Sequence, residues 1–281
     1  MQLTRLPTPE QLAGNSVPKF VAAHATPAAL SGQLPRWRDG ICPETTGLSP
    51  GFNSFVSARI KAVAAFVGVP HKDAVHCRAN IEIIFTTEPE KTIGTVSKRG
   101  SVLLGYHYAQ DSEKIASFSH PIQSWYVTAT QGDDGEIGLD VAMPLQHQGA
   151  PMSDLVGYRL ASGTTPGGRL GTRLATGRNS LLVNVLVVAD TRKVAGYTIG
   201  SISDYLAMLV LSQTQPPDTC GPLPSILDLM AAHCAAQEKP EEATAGDLAF
   251  LQALYSMDLR EILSFERSDI ENGMMRQFRA H

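Results

Sequence analysis

The chain has 281 residues, 43% of them apolar and 18% charged, with a formal net charge of −4. That length suffices to bury a full core as one large domain or two small ones, and the slight acidic balance gives no electrostatic footprint for nucleic acid or an anionic membrane surface. The longest apolar stretch, 55–69, is broken by Ser57, Arg59 and Lys61, so no membrane span is expected.

In chain order, residues 1–35 are rich in Pro and Ala and read as an N-terminal arm with one short helix at 17–24. The remainder, 36–281, reads as a single α+β domain, with 214–281 open to reading as a helical C-terminal subdomain. Residues 34–38 are expected to pair as an edge strand. A helix is expected over 49–68, with Ser49 as N-cap, Pro50 in the first turn and Gly68 as its stop. Phe52, Phe55, Val56, Ile60, Val63, Phe66 and Val67 recur at three- and four-residue steps along it and are read together as a core-facing stripe.

A strand at 80–87 and a short helix at 88–99 follow. Strands are expected at 102–108 and 123–130, the second joined through the turn 131–135 to a hairpin partner at 136–141. Residues 144–157 read as a loop, and the Gly-rich stretch 161–180, which carries Arg169, Arg173 and Arg178, as a flexible segment. Leu181 to Asp190 is a continuous apolar strand, and 201–211 an amphipathic helix with Ser201 or Ser203 as N-cap and Asp204 in the first turn. After a Pro-rich loop at 214–222 come a short helix at 224–232 and a helix at 247–257. Thr244 and Asp247 open the latter as a capping box. A charged helix at 259–277 is expected to lie on the surface. Irregular mixing of strands and helices, without repeats, makes the class α+β: a mixed sheet packed with helices, with a core helix after a central strand.

The four cysteines fall as two local pairs. Closing Cys42 to Cys77 and Cys220 to Cys234 adds roughly 3 to 4 kcal/mol each on a chain-entropy account; the competing reading is four buried thiols. No Cys-x-x-Cys spacing points to a zinc or redox pair. The first nine residues lack the apolar core of a signal peptide, so either the protein is cytosolic or the numbering begins near a mature terminus. The turn-rich cysteine flanks favour bridges, and with them an oxidising compartment.

Catalytic signals are incomplete. The segment 163–171 has neither the Lys-Ser/Thr ending of a nucleotide loop nor a Gly-x-Gly-x-x-Gly spacing. His107 ends one expected strand and His120 opens another, so both are candidate bases, but no Gly-x-Ser-x-Gly elbow supplies a nucleophile. Asp190 and Asp204 are candidate acids, with helix capping and the macrodipole as sufficient structural accounts of Asp204. No cofactor or metal is expected.

The segments Trp37-Arg38-Asp39-Gly40-Ile41-Cys42-Pro43, Phe52-Asn53-Ser54-Phe55, Asn80-Ile81-Glu82-Ile83-Ile84-Phe85, His120-Pro121-Ile122-Gln123-Ser124-Trp125-Tyr126 and Ser203-Asp204-Tyr205-Leu206 resemble an uncharacterised exported family of alphaproteobacteria. That resemblance implies a secreted or periplasmic location and brings no assigned activity with it. More distantly, the strand, the helix after it, and the later segments Leu223-Pro224-Ser225-Ile226 and Asp247 to Tyr255 are similar to zincin-like, metallopeptidase-fold proteins. There the helix carries His-Glu-x-x-His; here Ser203, Asp204 and Ala207 stand at that spacing. The function expected from this resemblance is a non-catalytic secreted or periplasmic binding or envelope-associated protein with a degenerate metallopeptidase-like fold, its partner an unknown protein or envelope ligand. The alternative is a hydrolase built from His107, His120 and Asp190 or Asp204.

Overall fold

The computed structural model describes residues 9–70, 77–99, 101–105, 116–133, 135–141, 177–258 and 261–280. Among them run α1 (Pro9–His24), β1 (Pro43–Thr46), α2 (Pro50–Phe66), β2 (Ile81–Thr86), α3 (Pro89–Arg99), β3 (Ile122–Gly132), β4 (Ile137–Leu139), β5 (Arg178–Asp190), the single turn α4 (Thr191–Val194), α5 (Ile199–Leu211), α6 (Ala245–Ser256) and α7 (Leu263–Ala280). The architecture is α+β, as the sequence implies.

The strands form one five-stranded sheet in the order β1-β2-β5-β3-β4. β1, β2 and β5 are parallel, while β3 runs antiparallel to both β5 and β4. β5 is central because its run from Leu181 to Ala189, apart from the buried Asn184, is apolar on both faces, the pattern of a strand covered on each side. β2 alternates instead: Ile81, Ile83 and Phe85 are buried on one face, with Ile84 half-buried on the other. The first face meets the main core, built from Phe20 of α1, Val56 and Ile60 of α2, α5, Phe250 of α6, and Ile270 and Met274 of α7. The second meets a smaller cluster of Ile93 of α3, Leu104, Trp125, Leu186 and Val188.

Both ends of the chain therefore share one core. Within the stretch read as an arm, α1 is longer than expected and buries Val17, Phe20 and Val21. Within 214–281, α6 and α7 pack on each other, and α7 also packs on α1. The helix read at 259–277 starts at Leu263 as α7 and lies on the surface with a charged outer face, while its inner face buries Glu266, Ile270 and Met274 at four-residue steps.

Other boundaries shift for local reasons. Residues Ser101–Leu104 form a 3-10 turn rather than the start of a strand, with Gly105 turning out of it at φ +62 against the Tyr126 carbonyl. Residues 106–108 and the loop 144–157 lie outside the described residues. So does the Gly-rich stretch up to 176, whereas Arg178 to Ser180 open β5. The expected edge strand at 34–38 is one parallel bridge, Arg36 to Leu181, beside β5. The capping box of Thr244 and Asp247 forms as read.

Both expected disulfides are present, Cys42–Cys77 with Cα atoms 6.0 Å apart and Cys220–Cys234 at 4.9 Å. They suggest an oxidising compartment. No helix among the described residues is long and apolar enough to cross a membrane.

Candidate functional site

The strongest candidate begins with α2. A helix turns 100° per residue, which sets Val56, Ile60, Val63 and Ala64 on one arc, and these are the residues it buries, with its C-cap Val67 buried in line with them. Phe55 and Phe66 fall about 100° round the helix from that arc, whereas Phe52, about 40° from Val56, lies at its edge in the first turn. Phe52, Phe55 and Phe66 are 54%, 46% and 61% exposed. The expectation of a single core-facing stripe is therefore wrong for all three phenylalanines; the aliphatic residues alone fill the interface with the sheet and α5. Ala62 and Arg59 share the phenylalanine face, with Ala58 at its border.

α5 supplies the opposite side. It starts at Ile199, earlier than expected, because Thr198 is its N-cap: the Thr198 hydroxyl accepts from the Ser201 amide at 3.1 Å. Ser201 donates its own hydroxyl to the Glu241 carbonyl at 2.6 Å. Asp204, in the second turn rather than the first, accepts from the Ala243 amide at 2.9 Å. It also accepts Arg59 Nε at 2.6 Å and Nη2 at 3.0 Å. Segment 241–243 is thus hung on the N-terminal half of α5. Its far end is fixed by Asp247, whose carboxylate receives the Ser225 hydroxyl, the Ile226 amide and the Thr244 amide.

Between α2 and this segment lies a cleft of about 410 Å³. Phe55, Ala58, Arg59 and Ala62 line one wall, Thr198, Gly200, Ser201, Glu241 and Glu242 the other, and Asp204 the floor. The Asp204 carboxylate, through its hydrogen bonds, holds the Arg59 guanidinium above its ordinary value. Both Asp204 oxygens and the Ser201 hydroxyl are engaged. The cleft offers apolar surface and two exposed carboxylates, Glu241 and Glu242.

The other sequence-predicted residues lie elsewhere. His120 and Asp190 come to the same end of the sheet, where the Asp190 amide donates to the Pro121 carbonyl at 2.9 Å. The Asp190 carboxylate caps α4 and receives Arg192 Nε at 3.0 Å and Nη2 at 2.8 Å, and that partner holds its carboxyl below the ordinary range. His120 is exposed and shares a 2.9 Å hydrogen bond with Ser119 beside a hollow of about 200 Å³. His107 lies outside the described residues. Asp204 belongs to the α2–α5 cleft and is not grouped with either.

Ser203 donates its hydroxyl to the Ile199 carbonyl at 2.6 Å, and both Ser203 and Ala207 are enclosed in the core. The two positions read against zinc ligands thus face packed side chains and not the cleft, which gives a metallopeptidase-like frame no support. One cluster of metal-ligand types occurs among the described residues, Cys220, Cys234 and Glu238. Its two sulfurs are joined as a disulfide, which leaves one carboxylate.

Fold and site together define a disulfide-bonded α+β protein with an aromatic, acid-rimmed cleft between two helices. Comparison with protein-family models, curated protein sequences and solved structures found no match for the chain.

Proposed function

We propose that this is a non-catalytic binding protein of the periplasm or the secreted fraction, and that it grips an apolar segment of a partner protein on the α2 face and the cleft beside it. The observation that carries this reading is the outward placement of Phe52, Phe55 and Phe66 on one helix of a protein whose other large side chains are mostly buried. Leaving three phenylalanines about half exposed forgoes burial worth roughly 1 to 1.5 kcal/mol apiece. Grouped exposed apolar residues rimmed by polar ones mark interaction surfaces, and aromatic anchors beside a pocket supply most of the energy in such interfaces. The location rests on the two disulfides.

The test is selection of a random peptide library against the full oxidised chain, with Phe55→Ala/Phe66→Ala as the counter-target. Both positions are exposed, so the variant is expected to keep the parent's circular dichroism and melting temperature. Peptides that bind the parent and lose binding to the variant support the reading. No enrichment, or equal binding to both proteins, contradicts it.

A further inference from the structure

We infer that the α2–α5 cleft receives a basic side chain, lysine or arginine, carried on that apolar partner segment; the inference rests on the docking reading above and adds the chemistry of the occupant. Three observations converge on it.

The first is charge. Arg59 and Asp204 neutralise each other through two hydrogen bonds. Glu241 and Glu242 are exposed on the same cleft, and Glu242 adds a coulombic pull on Arg59 without a direct ion pair. Three carboxylates, Asp204, Glu241 and Glu242, against the single guanidinium of Arg59 leave the lining net negative, which repels an anionic ligand and attracts a cation, most strongly where apolar walls limit solvent.

The second is shape. Opposite the glutamates stand Ala58 and Ala62, the smallest side chains on the α2 face, with the Phe55 ring beside them. A lysine or arginine stem lies along such a wall with its methylenes on alanine and phenylalanine while its head reaches the carboxylates. The ring face adds a cation–π attraction of about 0.5 to 1 kcal/mol at an exposed site.

The third is length, which selects a chain segment over a free amine. Phe52 and Phe66 lie on either side of the cleft residues, fourteen positions apart, or about 21 Å along the helix axis. One side chain fills the cleft but covers neither flanking ring. A peptide that places apolar residues on Phe52 and Phe66 and a cation between them uses the whole surface, as amphipathic segments do in helical grooves.

The experiment uses pools of capped fluorescent peptides about a dozen residues long, randomised among Leu, Ile and Phe except for one central position, which is Lys, Arg, norleucine or Glu. Binding to the full oxidised chain is read by anisotropy. The Lys and Arg pools are expected to bind about tenfold tighter than the norleucine and Glu pools, and raised salt is expected to narrow the gap. In Glu241→Gln/Glu242→Gln the gap closes while norleucine binding stays unchanged. If the norleucine or Glu pool binds as well as Lys, or the preference survives in the double Gln variant, the basic-side-chain inference is overturned. The docking reading still stands in that case if all pools weaken with Phe55→Ala. Failure of every pool to bind overturns both.

Discussion

Arg59 and Asp204, 145 residues apart in sequence, meet in two parallel hydrogen bonds, Nε to Oδ1 at 2.6 Å and Nη2 to Oδ2 at 3.0 Å. Asp204 is buried in the second turn of α5, while Arg59 stands on the exposed face of α2. The pair ties the two helices that form the cleft, and the third bond to Asp204, from the Ala243 amide, ties in the segment that carries the glutamates.

Arg59→Met leaves the Asp204 carboxylate buried with the Ala243 amide as its remaining partner. The expected cost is about 2 to 3 kcal/mol of unfolding free energy by urea denaturation with unchanged m. Arg59→Lys recovers part of it at most, since an ammonium cannot match the two-pronged contact. Asp204→Asn/Arg59→Met removes the stranded charge and is expected to be more stable than Arg59→Met alone.

Two buried groups give stability opposing pH dependences. Burial lowers His24 from 6.5 to about 4, and its ring shares a 3.3 Å hydrogen bond with Thr214. The unfolded chain therefore binds the His24 proton first, and this contribution is lost as pH falls from 6.5 towards 4. Glu266 is raised from 4.5 to about 7, chiefly by burial, which outweighs the Leu34 amide and Arg36. Its folded carboxyl keeps the proton, so this contribution is full below 4.5 and lost as pH rises towards 7. Between pH 4.5 and 6.5 the two slopes, each about 1.4 kcal/mol per unit at most, offset each other. Relative to the parent, Glu266→Gln is expected to lose stability as pH falls through that window, and His24→Gln to gain it. Parallel denaturation curves for parent and variants would reject both assignments.

Gly47 turns β1 into α2 at φ +93, and a Cβ there would lie 1.9 Å from the Phe85 carbonyl oxygen. Gly68, just past the end of α2, has φ +83 with nothing within 4 Å. Gly68→Ala is expected to cost about 1 to 2 kcal/mol, the left-handed penalty alone. Gly47→Ala is expected to cost more than twice that, because the carbonyl belongs to β2 and cannot yield without breaking the sheet. Thermal melts of the two variants separate steric from conformational cost.

The elements with strong local signals were legible. The apolar run of β5, the Thr244–Asp247 box and the cysteine pairing follow from residue types within a few positions or from turn-rich flanks. The buried face of α7 was hidden because Glu266 and Arg267 read as surface charge; Leu34 and Arg36, more than 200 residues earlier, supply Glu266 with its partners. Likewise the cleft depends on Ser201 and Asp204 holding segment 241–243, contacts across about 40 residues that no local pattern encodes. The phenylalanine face is different, because the sequence does contain its signal. The stripe from Phe52 to Val67 covers about 140° of the helix circumference, wider than the arc of Val56, Ile60 and Val63, and the exposed Phe55 and Phe66 are the part beyond that arc.

The central claim is where the partner binds, and amide hydrogen exchange of the full oxidised chain, with and without a saturating library-selected peptide, measures that directly. The account predicts added protection confined to α2 and residues 239–243. Protection instead at residues 119–125 and 215–216, beside His120, would place the binding surface at the wrong end of β3 and contradict it.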